Sequence, residues 1–230
     1  MATLNPKILG IGATCMKKSI VLAVACASLL MLGGGTAFSA APSRSSSALS
    51  AFTSAWADVT AYSATITVFE QKGIKVQNVI FRYTFRKPST VTVDVIGGPN
   101  NGVSLRWTGG TTLSAHRGSG LAGLLKERLS LHDLLVTTIR GSSIDELSFS
   151  QILAHAQQTP GAISQGPGMT INEDATEAVT LIPTHPATDA GYTLEKIEIS
   201  STTHLPLRVL GYQGSTLVRK IDFVDAQLTR

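Results

Sequence analysis

Cysteine is almost absent from this chain, with only Cys15 and Cys26 among 230 residues. Both fall within the first 40 positions, which read differently from everything after them. Met16, Lys17 and Lys18 make a basic start, followed by an apolar stretch of about 13 residues, the pattern of a secretory signal peptide whose true start is then Met16. Ala37 and Ser39, and again Ser39 and Ala41, set small residues at cleavage spacing, so removal is expected between Ser39 and Pro42. The run is too short for a membrane span. A lipid-anchored form cleaved at Cys26 is the competitor, disfavoured by the apolar residues that follow. The expected product has no thiol for a disulfide, a metal or a nucleophile, and its fold must stand on packing alone.

An excess of charge is missing too. The net charge of +4 belongs largely to the leader: with Lys7, Lys17 and Lys18 removed, 16 basic residues face 15 acidic ones. Nucleic-acid binding thereby loses its electrostatic basis. His116, His132, His155, His185 and His204 show no metal-ligand spacing and read as surface or capping residues. No cofactor is called for. Gly118, Gly120 and Gly123 spell G-x-G-x-x-G, but a hairpin strand precedes them and no βαβ unit surrounds them, so they read as a connector. His132 and Asp133 beside Ser119 could form a triad only with a nucleophile elbow, which is lacking, and adjacent helical residues point about 100° apart. The acid pairs Asp145-Glu146 and Glu173-Asp174 read as a helix start and a loop. A non-enzyme is expected.

What the chain does have is alternation. Residues 79–85 place Val79, Phe81, Tyr83 and Phe85 on one face and Ile80, Arg82 and Thr84 on the other, a strand with one greasy side. A strand over 62–70 precedes it across a Lys72-Gly73 turn, and after the Lys87-Pro88 break Val91, Val93 and Val95 alternate in a third. Such short connections make antiparallel hairpins. Another hairpin turns at Gly109-Gly110. Leu49, Phe52 and Trp56 predict a short amphipathic helix over 48–57. The Leu-rich stretch 121–136 and the Ser143-x-x-Glu146 capping box predict a helical insert, its second helix presenting Phe149, Ile152, Leu153 and Ala156. Residues 158–168 read as a polar loop, and four strands follow at 176–182, 192–200, 205–212 and 215–227. The fold class is α+β with one large antiparallel sheet, in a single domain over 48–230 behind a disordered leader, 41–47.

Three phrases carry a resemblance: residues 79–94 with their basic-Pro break, the hairpin 107–113 from Trp107, and the closing strands around Ile197, Leu205-Pro206 and 221–227. In order and spacing these resemble the LolA/LolB-like superfamily of periplasmic lipoprotein carriers, in a less characterised branch. The resemblance implies a strongly curved half-barrel covered by helices around a hydrophobic cavity for acyl chains. It implies an exported, periplasmic, monomeric carrier whose partners are lipids or lipoproteins and membrane proteins of the envelope. In the carriers an Arg before the Pro holds the helical lid; Lys87 occupies that position here and lacks the planar fork. The expected cavity wall is Phe81, Tyr83, Phe85, Val91, Val93 and Trp107, with Leu124, Phe149 and Leu153 in the lid. The alternative is an envelope sensor or scaffold of the same fold, closed in its core, that binds a protein partner.

Overall fold

Alternation at period two makes strands wherever one face can be buried. The structure, a computed structural model, describes residues 47–117, 127–188 and 190–230. The expected signal peptide, residues 41–46, Ser119, Leu124 and the 118–123 glycine motif lie outside the described residues. Helix α1 (Ser47–Ala57) leads into β1 (Ala61–Lys72), β2 (Lys75–Arg86), β3 (Thr90–Gly97), β4 (Val103–Trp107), β5 (Thr112–Arg117) and β6 (Glu127–Ser130). A 3-10 turn (Ile144–Leu147) and α2 (Phe149–Gln158) come next. Then follow β7 (Gly161–Ile171), β8 (Asp174–Pro183), β9 (Leu194–Ser200), β10 (Pro206–Gln213) and β11 (Thr216–Thr229).

These strands form one open, curved antiparallel sheet in the order β6-β5-β4-β3-β2-β1-β11-β10-β9-β8-β7. Two meanders therefore meet back to back, joined where β1 pairs with β11 from Ala61 opposite Thr229 to Glu70 opposite Arg219. The topology has a consequence for α2. It lies on the connection between the two edge strands, β6 and β7, so the chain carrying it must cross from one side of the sheet to the other.

The buried face follows the sequence pattern. Tyr62, Ala64, Ile66 and Val68 of β1 and Val79, Phe81, Tyr83 and Phe85 of β2 are buried, while Ile80, Arg82, Thr84 and Arg86 are exposed. Helix α1 adds Leu49, Phe52 and Trp56, and α2 adds Phe149, Ile152, Leu153 and Ala156, all in the same core. The i, i+3, i+4, i+7 spacing gives each short helix one apolar stripe, and that stripe supplies its stability.

Three expectations from the sequence need correction. Within the Leu-rich stretch, the described part from Glu127 forms edge strand β6 and then turns, with Leu134 and Leu135 exposed. Leu129 pairs with Leu113 of β5 and packs on the core, and Leu131 just beyond it is buried, so this part hides its apolar side chains as an edge strand. The capping box does not start a long helix either: Ser143 donates to the carboxylates of Asp145 and Glu146, and α2 begins after Ser148, whose Oγ accepts from Gln151 N at 3.2 Å. Residues 161–168 belong to strand β7. Pro167 is tolerated there because β7 is an edge strand and its register with β8 shifts just after this residue.

Candidate binding cavity

The apolar residues of β2, β3 and β4 lie side by side on the buried face of the sheet. Phe85 pairs with Val91, Tyr83 with Val93 and Val91 with Trp107, so these residues form one continuous surface, every one of them buried. Rings from both helices sit on it. Phe149 stacks on Tyr62 at 4.3 Å between centroids and 8° between planes, and Trp56 packs at 5.7 Å from Phe85 and 5.6 Å from Phe149. The phenols tie the 3-10 turn down: Tyr83 donates to Ile144 O at 3.1 Å and Tyr62 to Leu147 O at 3.3 Å. Burial pushes both phenols well above the usual tyrosine range, so they remain neutral donors. Lys87 Nζ donates to the carbonyls of Trp56 and Ala57, the last turn of α1, and lies 4.4 Å from the Trp56 ring centroid. A cation there satisfies orphan carbonyls and the negative end of the helix. One space beside Phe81 has about 30 Å³.

Larger spaces lie under the other half of the sheet. A cavity of about 320 Å³ is walled by Ile197 of β9, Val209 of β10, Ile221 of β11 and Ile152 of α2. Its mouth is marked by Gln151 and Ala190, both exposed. A second space of about 220 Å³ lies further along β11, lined by Phe223, Leu228, Leu205 and Phe149. The Phe149 and Phe223 rings, 5.1 Å apart, both face this second space.

The first cavity has a polar end. Arg219 on β11 sits opposite fully buried Glu70 on β1, with Nε 3.7 Å from Oε1, an ion pair too long for a hydrogen bond. The Glu70 carboxylate accepts instead from Arg140 N at 3.0 Å and Ser142 Oγ at 3.2 Å. Burial works against the Arg219 charge, but the Tyr192 phenol and the carboxylates of Glu70, Glu146 and Glu195 outweigh it, so the guanidinium is held charged. Tyr192 lies against Gly211, where an added Cβ would come within 2.7 Å of the ring, so only glycine lets the phenol rest on the sheet. Burial raises the Tyr192 phenol as well. Glu195 of β9 faces His155 of α2, with 2.7 Å between Oε1 and Nε2.

None of these polar residues was singled out as a site from sequence, although a signal existed. Glu70 continues the inward series Tyr62, Ala64, Ile66, Val68, Arg219 precedes Ile221 and Phe223, and Glu195 precedes Ile197 and Ile199. Charges at inward positions of three strands mark a built site, because an ion is rarely buried without partners. The other candidates stay apart from the cavity. His132 is exposed, Asp133 accepts from Leu135 N, and Asp174 holds Ser200 and Thr202. No group of three or more His, Cys, Asp or Glu among the described residues is arranged to hold a metal.

No family model and no curated protein matches this chain. Solved structures do. An outer membrane lipoprotein-sorting protein domain from Vibrio parahaemolyticus is 12% identical, covering 79% of this chain and 92% of its own, with a TM-score of 0.40. A LolA superfamily protein from Nitrosomonas europaea is 12% identical over 81% of this chain and 95% of that one, at 0.37. The Pseudomonas aeruginosa MucA/MucB complex is 13% identical over 80% and 58%, at 0.38. The superfamily that the sequence motifs resemble is thus represented among them. At such identity and with TM-scores below 0.5, the likeness leaves fold and function to be read from the molecule itself.

Proposed function

We propose that this chain is an exported, non-catalytic binding protein of the cell envelope that holds an acyl chain of a lipid or lipoprotein between its sheet and its helices. The observation that carries this reading is the cavity of about 320 Å³ between α2 and β9, β10 and β11, with an apolar wall, an open mouth and a polar end. That volume lies within the range of small-molecule pockets. A guest of about ten methylenes would gain on the order of 8 kcal/mol from burial alone, before the cost of immobilising it. In this reading α1 and α2 form the cover of a half-barrel and Lys87 fastens α1. The surface of Phe81, Tyr83, Phe85, Val91, Val93 and Trp107, with Phe149 and Leu153 on the cover, is reached by a longer guest once the helices draw back. The carrier acts as a monomer in the periplasm.

A second reading, a sensor or scaffold holding a protein partner, is favoured by one observation: the β2–β4 face is buried, while Ile74 and Val76 at the first hairpin and Leu134 and Leu135 are exposed. Native mass spectrometry of protein taken from a bacterial envelope separates the two. The carrier reading expects an acyl lipid adduct, and displacement of a pyrene-labelled acylglycerol by added lipid. A lipid-free mass together with no binding of the labelled probe would sink it in favour of the scaffold.

A further inference from the structure

The polar end of the large cavity contains donors with nothing to donate to. Nε and Nη2 of Arg219, Nε of Arg140 and the hydroxyl of Tyr192 are buried without a partner at hydrogen-bond geometry; the Arg140 guanidinium stands beside the Tyr192 hydroxyl, whose own proton is left to donate, and of these residues Arg219 and Tyr192 line the cavity. The two residues are 8% and 2% exposed. Native proteins leave few buried polar atoms unsatisfied, so a pair of them at the end of one open space calls for an acceptor from outside. The two come from different elements, β11 and the segment before β9, and Gly211 exists in a form that lets Tyr192 reach this position.

The surrounding charges decide which acceptor fits. Glu146 and Glu195 line the same cavity, and Glu70 stands behind Arg219. Arg140, its Cζ 5.0 Å from the Tyr192 ring centroid, gives Nη1 to Gln71 O and Nη2 to Ala190 O and stands outside the cavity lining, and His155 faces Glu195. A ligand carboxylate would bring another negative charge among these three. An uncharged carbonyl accepts from the same donors without that repulsion. Beyond the donors the wall turns apolar at Ile197, Val209 and Ile221, which places a hydrocarbon chain directly after the carbonyl.

We propose that Arg219 and Tyr192 form a subsite for the ester or amide carbonyl at the head of an acyl chain, so that the cavity takes esterified or amide-linked chains in preference to free fatty acids. This rests on the acyl-carrier reading and sharpens it. The test compares three ligands of one chain length as competitors of a pyrene-labelled hydrocarbon probe on the mature chain: a monoacylglycerol, its monoalkyl ether, which lacks only the carbonyl, and the fatty acid at about pH 8, where it is ionised. The ester is expected to bind about five- to ten-fold more tightly than either of the others. Tyr192→Phe keeps the ring on Gly211 and should weaken the ester about three-fold while leaving the ether unchanged. Arg219→Lys keeps a charge opposite Glu70 but loses the fork, and should likewise reduce only the ester. Equal binding of ester and ether, tightest binding of the fatty acid, or a parallel loss of ester and ether in Tyr192→Phe would overturn the subsite while leaving the carrier standing. Failure of all three ligands to compete would overturn the carrier reading and the subsite together.

Discussion

Glu70 is a residue whose removal the core absorbs poorly. It is fully buried, faces Arg219 and accepts from Arg140 N and Ser142 Oγ, so one carboxylate fixes the β1–β11 seam to the segment that leads into α2. Replacing it leaves a buried guanidinium without its counter-charge and two donors without an acceptor. Glu70→Leu should lower stability by about 3–5 kcal/mol in urea unfolding, and the double replacement Glu70→Leu with Arg219→Leu should recover a large part of that loss. If the double variant is no more stable than the single one, the ion pair is not what the carboxylate is there for. The same scale explains Gly211, whose lack of a side chain is a packing requirement set by Tyr192 and not by the turn chemistry that glycine elsewhere supplies.

Helix α1 is held by its tertiary contacts. Its eleven residues are too few to be stable alone, so its order depends on Leu49, Phe52 and Trp56 in the core and on Lys87 at its last turn. Lys87→Ala removes hydrogen bonds to two helix carbonyls and a cation held over Trp56. The expected result is a loss of about 1–2 kcal/mol concentrated in α1, read as faster amide exchange over 47–57 with the exchange of β1 and β2 unchanged. Uniform acceleration across the sheet would mean that the lysine supports the whole core and not the helix. Helix α2 is fixed differently, by the Ser148 cap, by Phe149 stacked on Tyr62 and by His155 against Glu195. Because it borders both large spaces, it is the element whose displacement would join them.

For the molecule as a whole, the tyrosines under the helices predict how stability depends on pH. A phenol in the unfolded chain ionises near about pH 10. Tyr62 and Tyr83 are held well above that in the folded state by burial. Below about pH 10 both states keep their protons and the contribution is fully present; above it the unfolded chain releases protons that the folded one retains, so stability falls as pH rises. Chemical denaturation should show a decline of up to about 1.4 kcal/mol per pH unit for each phenol above about pH 10, and Tyr83→Phe should remove its share of the slope. An unchanged slope in that variant would place the titration elsewhere.

Much of the sheet was legible in the sequence because alternation is local: Val79 to Phe85 and Val91 to Val95 announce their own buried face without knowing what covers it. Strand β7 was not, since Gly166 and Pro167 look like a loop until β8 offers them a partner, and β6 was hidden inside a leucine-rich stretch that only pairing with β5 turns into a strand. The candidate site divided along the same line. The apolar face of residues 79–95 could be named from residue order and Lys87 only through the resemblance, whereas the polar end of the cavity needed Glu70, Tyr192, Glu195 and Arg219, up to 149 positions apart, to be brought together. Sequence alone determined which faces are apolar, because side-chain period and hydrophobicity reside in neighbouring residues. Only the tertiary structure decided which of those faces is filled and which keeps a space, because that depends on how the volumes of α1 and α2 fit a sheet assembled from both halves of the chain.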